Sequence, residues 1–314
     1  MARPLARRLL PVPLLLLTAI TAVWLAAILR ERGAVMPPEE RRIATPLGTV
    51  AADIRGPAHG TPVLIVPGTA GWSGLWREVS AHLAGRGYRV IAIDLPPFGF
   101  SEHDREARYG RVSQAKRLAA VLDAAAHGPA IVIAHSFGAG AAAELALRRP
   151  DLVGRFVMVD GALGALDPVG SSRIRALDTM GLAQPLVAAT LTNPHALAPL
   201  VRTMVAREDA ADRWRETLRL PMRRRETTAA YAAWLPHLFA VDAAERSRYS
   251  ADLRTMRPPV RLIWGEADSV TPIDQGERLS ALFGAPLIRL PGLGHIPHIE
   301  DRDAFLTALT EALS

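Results

Sequence analysis

Cysteine is absent from the 314 residues, so disulfides and thiolate metal sites are excluded, and redox chemistry says nothing of the compartment. Lysine is almost absent: Lys116 is the only one, and arginine carries the basic side of a formal net charge of +6. Arginine and alanine enriched together read as a compositional bias. Neither a zinc spacing nor a basic run interleaved with aromatics is present, which speaks against a nucleic-acid partner. No internal repeat is apparent. What is plentiful is apolar surface: 49% of residues are hydrophobic, enough for a sizeable core, and the length suits one large α/β domain.

The run from Leu9 to Leu29 holds no charged residue, with arginines on both sides. As a helix it would rise about 31 Å, the thickness of a bilayer's hydrocarbon core. It is longer than the apolar region of a signal peptide and no A-x-A cleavage site follows. The sequence therefore predicts an N-terminal membrane anchor over 1–32, a single pass with the catalytic domain on the exported side, and a linker over 33–44.

Beyond the linker, Thr45 to Arg55 holds a Leu47-Gly48-Thr49 turn between short apolar stretches, which predicts an opening hairpin. Apolar strand patterns then recur at Pro62–Val66, Tyr88–Ile93, Ala130–Ala134 and Arg155–Val159, with helical spacing between them. The rhythm breaks from Ala162 to Ser250, which is rich in Ala, Leu, Arg and Pro and reads as short helices. Strands resume at Val260–Trp264 and Pro286–Leu290, and a helix over about Asp303–Leu313 closes the chain. Strands separated by single helices imply a mostly parallel sheet flanked by helices. The predicted core is 45–161 with 251–314, and the helical insertion is 162–250.

One serine stands where a buried strand gives way to a small-residue helix, in Ala134-His135-Ser136-Phe137-Gly138. Bulky groups two residues either side would block so sharp a turn, and the helix start behind it offers N–H groups to an oxyanion. This stretch resembles the nucleophile elbow G-x-S-x-G of the α/β-hydrolase family, with Ala134 in place of the first glycine. Gly265-Glu266-Ala267-Asp268-Ser269-Val270-Thr271-Pro272 resembles the family's acid loop, and Gly294-His295-Ile296-Pro297-His298-Ile299-Glu300 its histidine loop. The resemblance covers about Thr45 to Ser314. It implies an α/β-hydrolase fold with an all-helical cap after the sixth strand, and catalytic residues Ser136, Asp268 and His295 in the family's chain order.

A serine hydroxyl needs a base to take its proton and a third group to hold that base, which is the role of His295 and Asp268. The oxyanion would be held by the amides of Phe137 and, in Pro67-Gly68-Thr69, of Thr69. Pro67 stands where the family usually has histidine. Glu266, Asp274 and Asp160 are rival acids; His135 reads as structural, His298 as the start of the following helix, and Glu300 as a structural cap. Asp94 to Ser101 resembles a loop that shapes the fold near the pocket. Trp214, Trp234 and Phe239 either line an apolar substrate pocket or pack the cap helices. Arg223 to Arg225 reads as a solvated face.

These residues lead first to a serine esterase that acts on a small apolar ester without metal or organic cofactor. The second reading keeps the triad for C–C bond hydrolysis or perhydrolysis. The third is a non-catalytic, membrane-tethered binding domain. Oligomeric state is not legible.

Overall fold

The computed structural model describes residues 11–163, 181–239 and 252–314, with side chains from 18 and none at 239. Its centre is an eight-stranded sheet in the order β1-β2-β4-β3-β5-β6-β7-β8. The strands are β1 (Glu40–Thr45), β2 (Gly48–Arg55), β3 (Pro62–Val66), β4 (Arg89–Ile93), β5 (Ala130–His135), β6 (Val153–Val159), β7 (Val260–Gly265) and β8 (Leu287–Leu290). The expected hairpin is β1–β2, antiparallel like the β2–β4 pair, and every pairing from β4 to β8 is parallel. All five residues of β3 are buried, as expected of a parallel strand covered on both faces. The stretch read as a linker is shorter than expected, because Glu40 to Ala44 already pair with β2.

Helices α1 (Pro11–Arg30), α2 (Arg77–Gly85), α3 (Arg111–Ala125) and α4 (Phe137–Arg148) precede the cap. The cap region between β6 and β7 holds α5 (Ala183–Ala189), α6 (Pro194–Arg202), α7 (Glu208–Arg213), α8 (Arg215–Arg219) and α9 (Thr227–Phe239). After β7 come α10 (Ile273–Phe283), the single turn α11 (Pro297–Glu300) and α12 (Arg302–Leu313). α3 packs on α4, and α2 on α12. No strand interrupts the described part of the cap, where α9 packs on α5. The predicted α/β-hydrolase architecture is present; residues 164–180 and 240–251 of the predicted insertion lie outside the description.

The membrane anchor is not. Among the described residues no helix is long and apolar enough to cross a membrane, which overturns the single-pass anchor and the exported placement built on it. Instead α1 packs on α5. Ala27 is buried, and Trp24 Nε1 donates to Gln184 Oε1 at 3.3 Å. Just beyond, Thr228 N–H donates to Glu31 Oε1 at 2.6 Å, and Gly33 N–H to the Arg223 carbonyl at 2.9 Å. An uncharged run reports that a helix is apolar, not what covers it.

Candidate active site

β5 ends at His135 and α4 begins at Phe137, so Ser136 alone makes the turn, with φ +49° and ψ −124°. Such a backbone is strained for a residue with a Cβ, and it persists only where the surroundings hold it. Ser136 N–H donates to the Val159 carbonyl, and the Ser136 carbonyl accepts from Ala139 and Ala162, each at 3.0 Å. Two glycines make room for the turn. A Cβ on Gly138 would lie 2.4 Å from the Pro67 carbonyl oxygen, and one on Gly68 would lie 2.8 Å from Ser136 Cβ. The Pro67–Thr69 loop is thereby brought against the serine. Phe137 is the first residue of α4, so its N–H has no partner within the helix.

The loops after β7 and β8 complete a relay. His295 Nδ1–H donates to Asp268 Oδ2 at 2.8 Å, which leaves Nε2 to accept from Ser136 Oγ, also at 2.8 Å. Ser136, Asp268 and His295 are 6%, 5% and 4% exposed, so bulk water does not compete for these bonds. Asp268 Oδ1 takes the amides of Val270 and Thr271, and the Thr271 hydroxyl donates to Oδ2 at 2.6 Å. Burial pushes Asp268 up, but the bonds from His295 and Thr271 outweigh it and hold the carboxyl below its usual range.

The rival acids lie elsewhere or differ in charge state. Glu266 pairs with Arg289, and Asp274 with Arg278. Asp160 is fully buried with Oδ1 on the Gly265 amide. Burial, and then the charge of Asp268, raise it well above the ordinary carboxyl range, so it favours the protonated form beside Asp268.

Three side chains read as structural do more than the sequence suggests. His135 Nε2–H donates to the His295 carbonyl at 2.7 Å and so braces the histidine loop. Burial, and then His295, press its imidazole down to about 3, so it stays neutral. His298 lies in the first turn of α11, one residue after Pro297 opens it, and is buried and stacked on Trp76 at 3.8 Å. Glu300 accepts from the Gly294 and Ile296 amides of its own turn and, unforeseen, from Ala206 and Arg207 of the cap. Thr271 was missed altogether. Its place three residues after Asp268 was the only available sign.

Asp94 ties its loop together, taking the Ser73 and Phe100 amides at 2.7 and 2.6 Å. In the cap, Trp234 is fully buried with its ring against Phe98 and Phe137, while Trp214 lies under the Arg77 guanidinium. The side chain of Phe239 lies outside the described residues. Arg223 is a solvated residue paired with Glu216, but Arg224 turns inward onto the carbonyls of Gly99 and Ser101. Among the described residues no group of three or more His, Asp or Glu could hold a metal ion.

With this fold and this relay in view, the class is defined: the chain belongs to the α/β hydrolase fold family, whose pattern it matches over residues 61–302. It resembles 2-hydroxy-6-oxo-2,4-heptadienoate hydrolase of Pseudomonas putida, 28% identical over 272 residues that cover 85% of this chain and 94% of the relative. It also resembles 2-hydroxymuconate semialdehyde hydrolase of a Pseudomonas species, 28% identical over 278 residues, 84% and 92% of the two chains. In solved structures, 2-hydroxy-6-oxo-6-phenylhexa-2,4-dienoate hydrolase of Rhodococcus sp. strain RHA1 superimposes with a TM-score of 0.71 at 16% identity. That match covers 87% of this chain and 98% of the other, and it speaks for the fold. The protein is an α/β-hydrolase enzyme.

Proposed function

We propose that this enzyme hydrolyses a carbon–carbon bond beside a ketone in a small unsaturated hydroxy-keto acid, with Ser136 as nucleophile. The unbroken hydrogen-bond relay from Ser136 through His295 to Asp268 carries the reading, and the names of the relatives support a carbon–carbon bond as the one cut. A 2-hydroxy-6-oxo-dienoate contains no ester or amide, so its hydrolysis must cut carbon from carbon. This replaces the simple ester as the first choice.

Ser136 Oγ adds to the ketone carbon as its proton passes to His295 Nε2, and Asp268 stabilises the imidazolium. The carbonyl oxygen takes up negative charge and is held by the amides of Phe137 and Thr69. Collapse of the tetrahedral centre expels the carbon fragment. Its electron pair spreads into the conjugated 2-oxo acid, the tautomer formed beforehand as the 2-hydroxyl proton moves to the carbon that leaves, and the resulting enolate takes the proton from His295. Water, deprotonated by His295, then releases the acyl group from Ser136 as a carboxylic acid. Every proton moves among Ser136, His295, substrate and water.

The test is turnover of 2-hydroxy-6-oxo-2,4-heptadienoate beside a series of p-nitrophenyl esters. The dienoate is expected to have the higher kcat/KM, and Ser136→Ala to lower kcat by a factor on the order of 10⁴ or more. Rapid ester cleavage with the dienoate untouched restores the ester reading. An intact fold that turns over neither substrate and takes up no fluorophosphonate at Ser136 leaves a binding domain.

A further inference from the structure

The histidine loop does not stand on the sheet alone. His295 N–H donates to the Met204 carbonyl of the cap at 2.8 Å. Ser269, next to Asp268, donates its hydroxyl to the Thr203 carbonyl at 2.7 Å. Arg207 pairs with Asp301 at 2.7 Å, and Arg213 donates to the Ile299 carbonyl at 3.0 Å. At the middle of these contacts lies the carboxylate of Glu300, itself only 3% exposed. Its Oε2 accepts from Ala206 N–H at 2.7 Å, Gly294 N–H at 3.0 Å and Arg207 N–H at 3.3 Å. Its Oε1 accepts from Gly294 N–H at 3.1 Å and Ile296 N–H at 3.2 Å.

We propose that Glu300 is a positioning residue that couples the cap to the relay: one carboxylate holds the cap segment Thr203–Arg207 and the amides either side of His295 in a single frame. A side chain that capped only its own turn would need Gly294 and Ile296 and nothing from the cap. A carboxylate is the side chain that suits this place, since it offers an acceptor at both oxygens to the four amides that face it. Four backbone donors converge on it, two from each side. The imidazole of His295 must stay within hydrogen-bond reach of Ser136, and misplacement by about 1 Å can cost on the order of 100-fold in rate. A displacement of the cap at Thr203–Arg207 would therefore be felt at His295 without any contact to the substrate. The inference rests on the serine–histidine reading above for its effect on rate, but not for its effect on structure.

Glu300→Gln keeps the shape while replacing one acceptor by a donor. In the full chain, amide hydrogen exchange is expected to rise together in residues 203–207 and 292–298. The rate of fluorophosphonate labelling of Ser136 should fall about 10- to 100-fold. With a turned-over substrate the loss should appear in kcat more than in KM. Faster exchange in 292–298 with 203–207 unchanged would reduce Glu300 to a cap of its own turn and overturn the coupling. Ser269→Ala, at an exposed position, guards against a variant that fails to fold. It should raise exchange in both segments more weakly, and a rise in 203–207 alone counts against the proposal. Exchange needs no substrate, so a chain that never cleaves the dienoate refutes the proposed function and leaves the coupling to be judged on these two segments.

Discussion

Asp268 stays ionised in a buried site because every lone pair it presents is used: by the His295 ring, the Thr271 hydroxyl and two amides. Thr271→Val removes the hydroxyl while keeping the shape. The carboxylate then loses part of the support that holds its pKa down, so Asp268 should protonate at higher pH. The expected result is an acid limb of the kcat/KM profile displaced upward, with a loss at neutral pH of up to about 10-fold. An unshifted limb would show that the two amides suffice. That Ser136, Asp268 and His295 come together was legible because each sits in a short motif at a strand end, where neighbouring residues betray the turn. Thr271 belongs to the same loop, but a threonine there reads as an ordinary turn residue. The bonds of Glu300 to the cap span 94 and 93 residues, and no local pattern carries such a distance.

At the scale of elements, the β5–α4 junction works by close approach. The first turn of α4 lies so near the Val66–Pro67 backbone that only a hydrogen fits at position 138. Gly138→Ala should cost about 1–3 kcal/mol of stability through overpacking. It should also reduce fluorophosphonate labelling by shifting Ser136. Thermal unfolding and labelling, measured together, check both halves. The strands themselves were readable because parallel strands buried on both faces are near-continuous apolar runs. The leading helix was misread because an uncharged run does not say what lies beside it: Ala27 alone of its described side chains is buried, while Trp24, Leu25, Ile28 and Leu29 stay exposed. Arg224 was misread as solvated because its partners are carbonyls of a loop more than a hundred residues away.

The whole molecule carries several titratable groups that burial shifts toward the neutral form, and their opposing signs shape its stability. Burial, and then the charge of Asp94, push Glu40 up to about 8; burial pushes Asp94 up to about 6, and Asp160 well above its ordinary value. These acids keep protons that the unfolded chain has already released, so their contribution is lost as pH rises through the folded values. His135 and His298 act from the other side. Both stay neutral in the fold, while in the unfolded chain they take up protons as pH falls below about 6.5, so stability is lost there too. A broad maximum of thermal stability at mildly acidic pH is expected, with a decline by pH 8. Glu40→Gln should flatten the alkaline decline, and calorimetry between pH 4 and 9 would reveal whether it does.

The docking of α1 on the cap, with Glu31 and Gly33 fastened to Thr228 and Arg223, has a mechanical side. The leading segment is a strut for the cap, the roof whose Trp234 lies against Phe137 beside Ser136, and it is fastened there before the chain enters the sheet. A load applied at the front of the polypeptide therefore reaches that roof first, by a route that bypasses the strands.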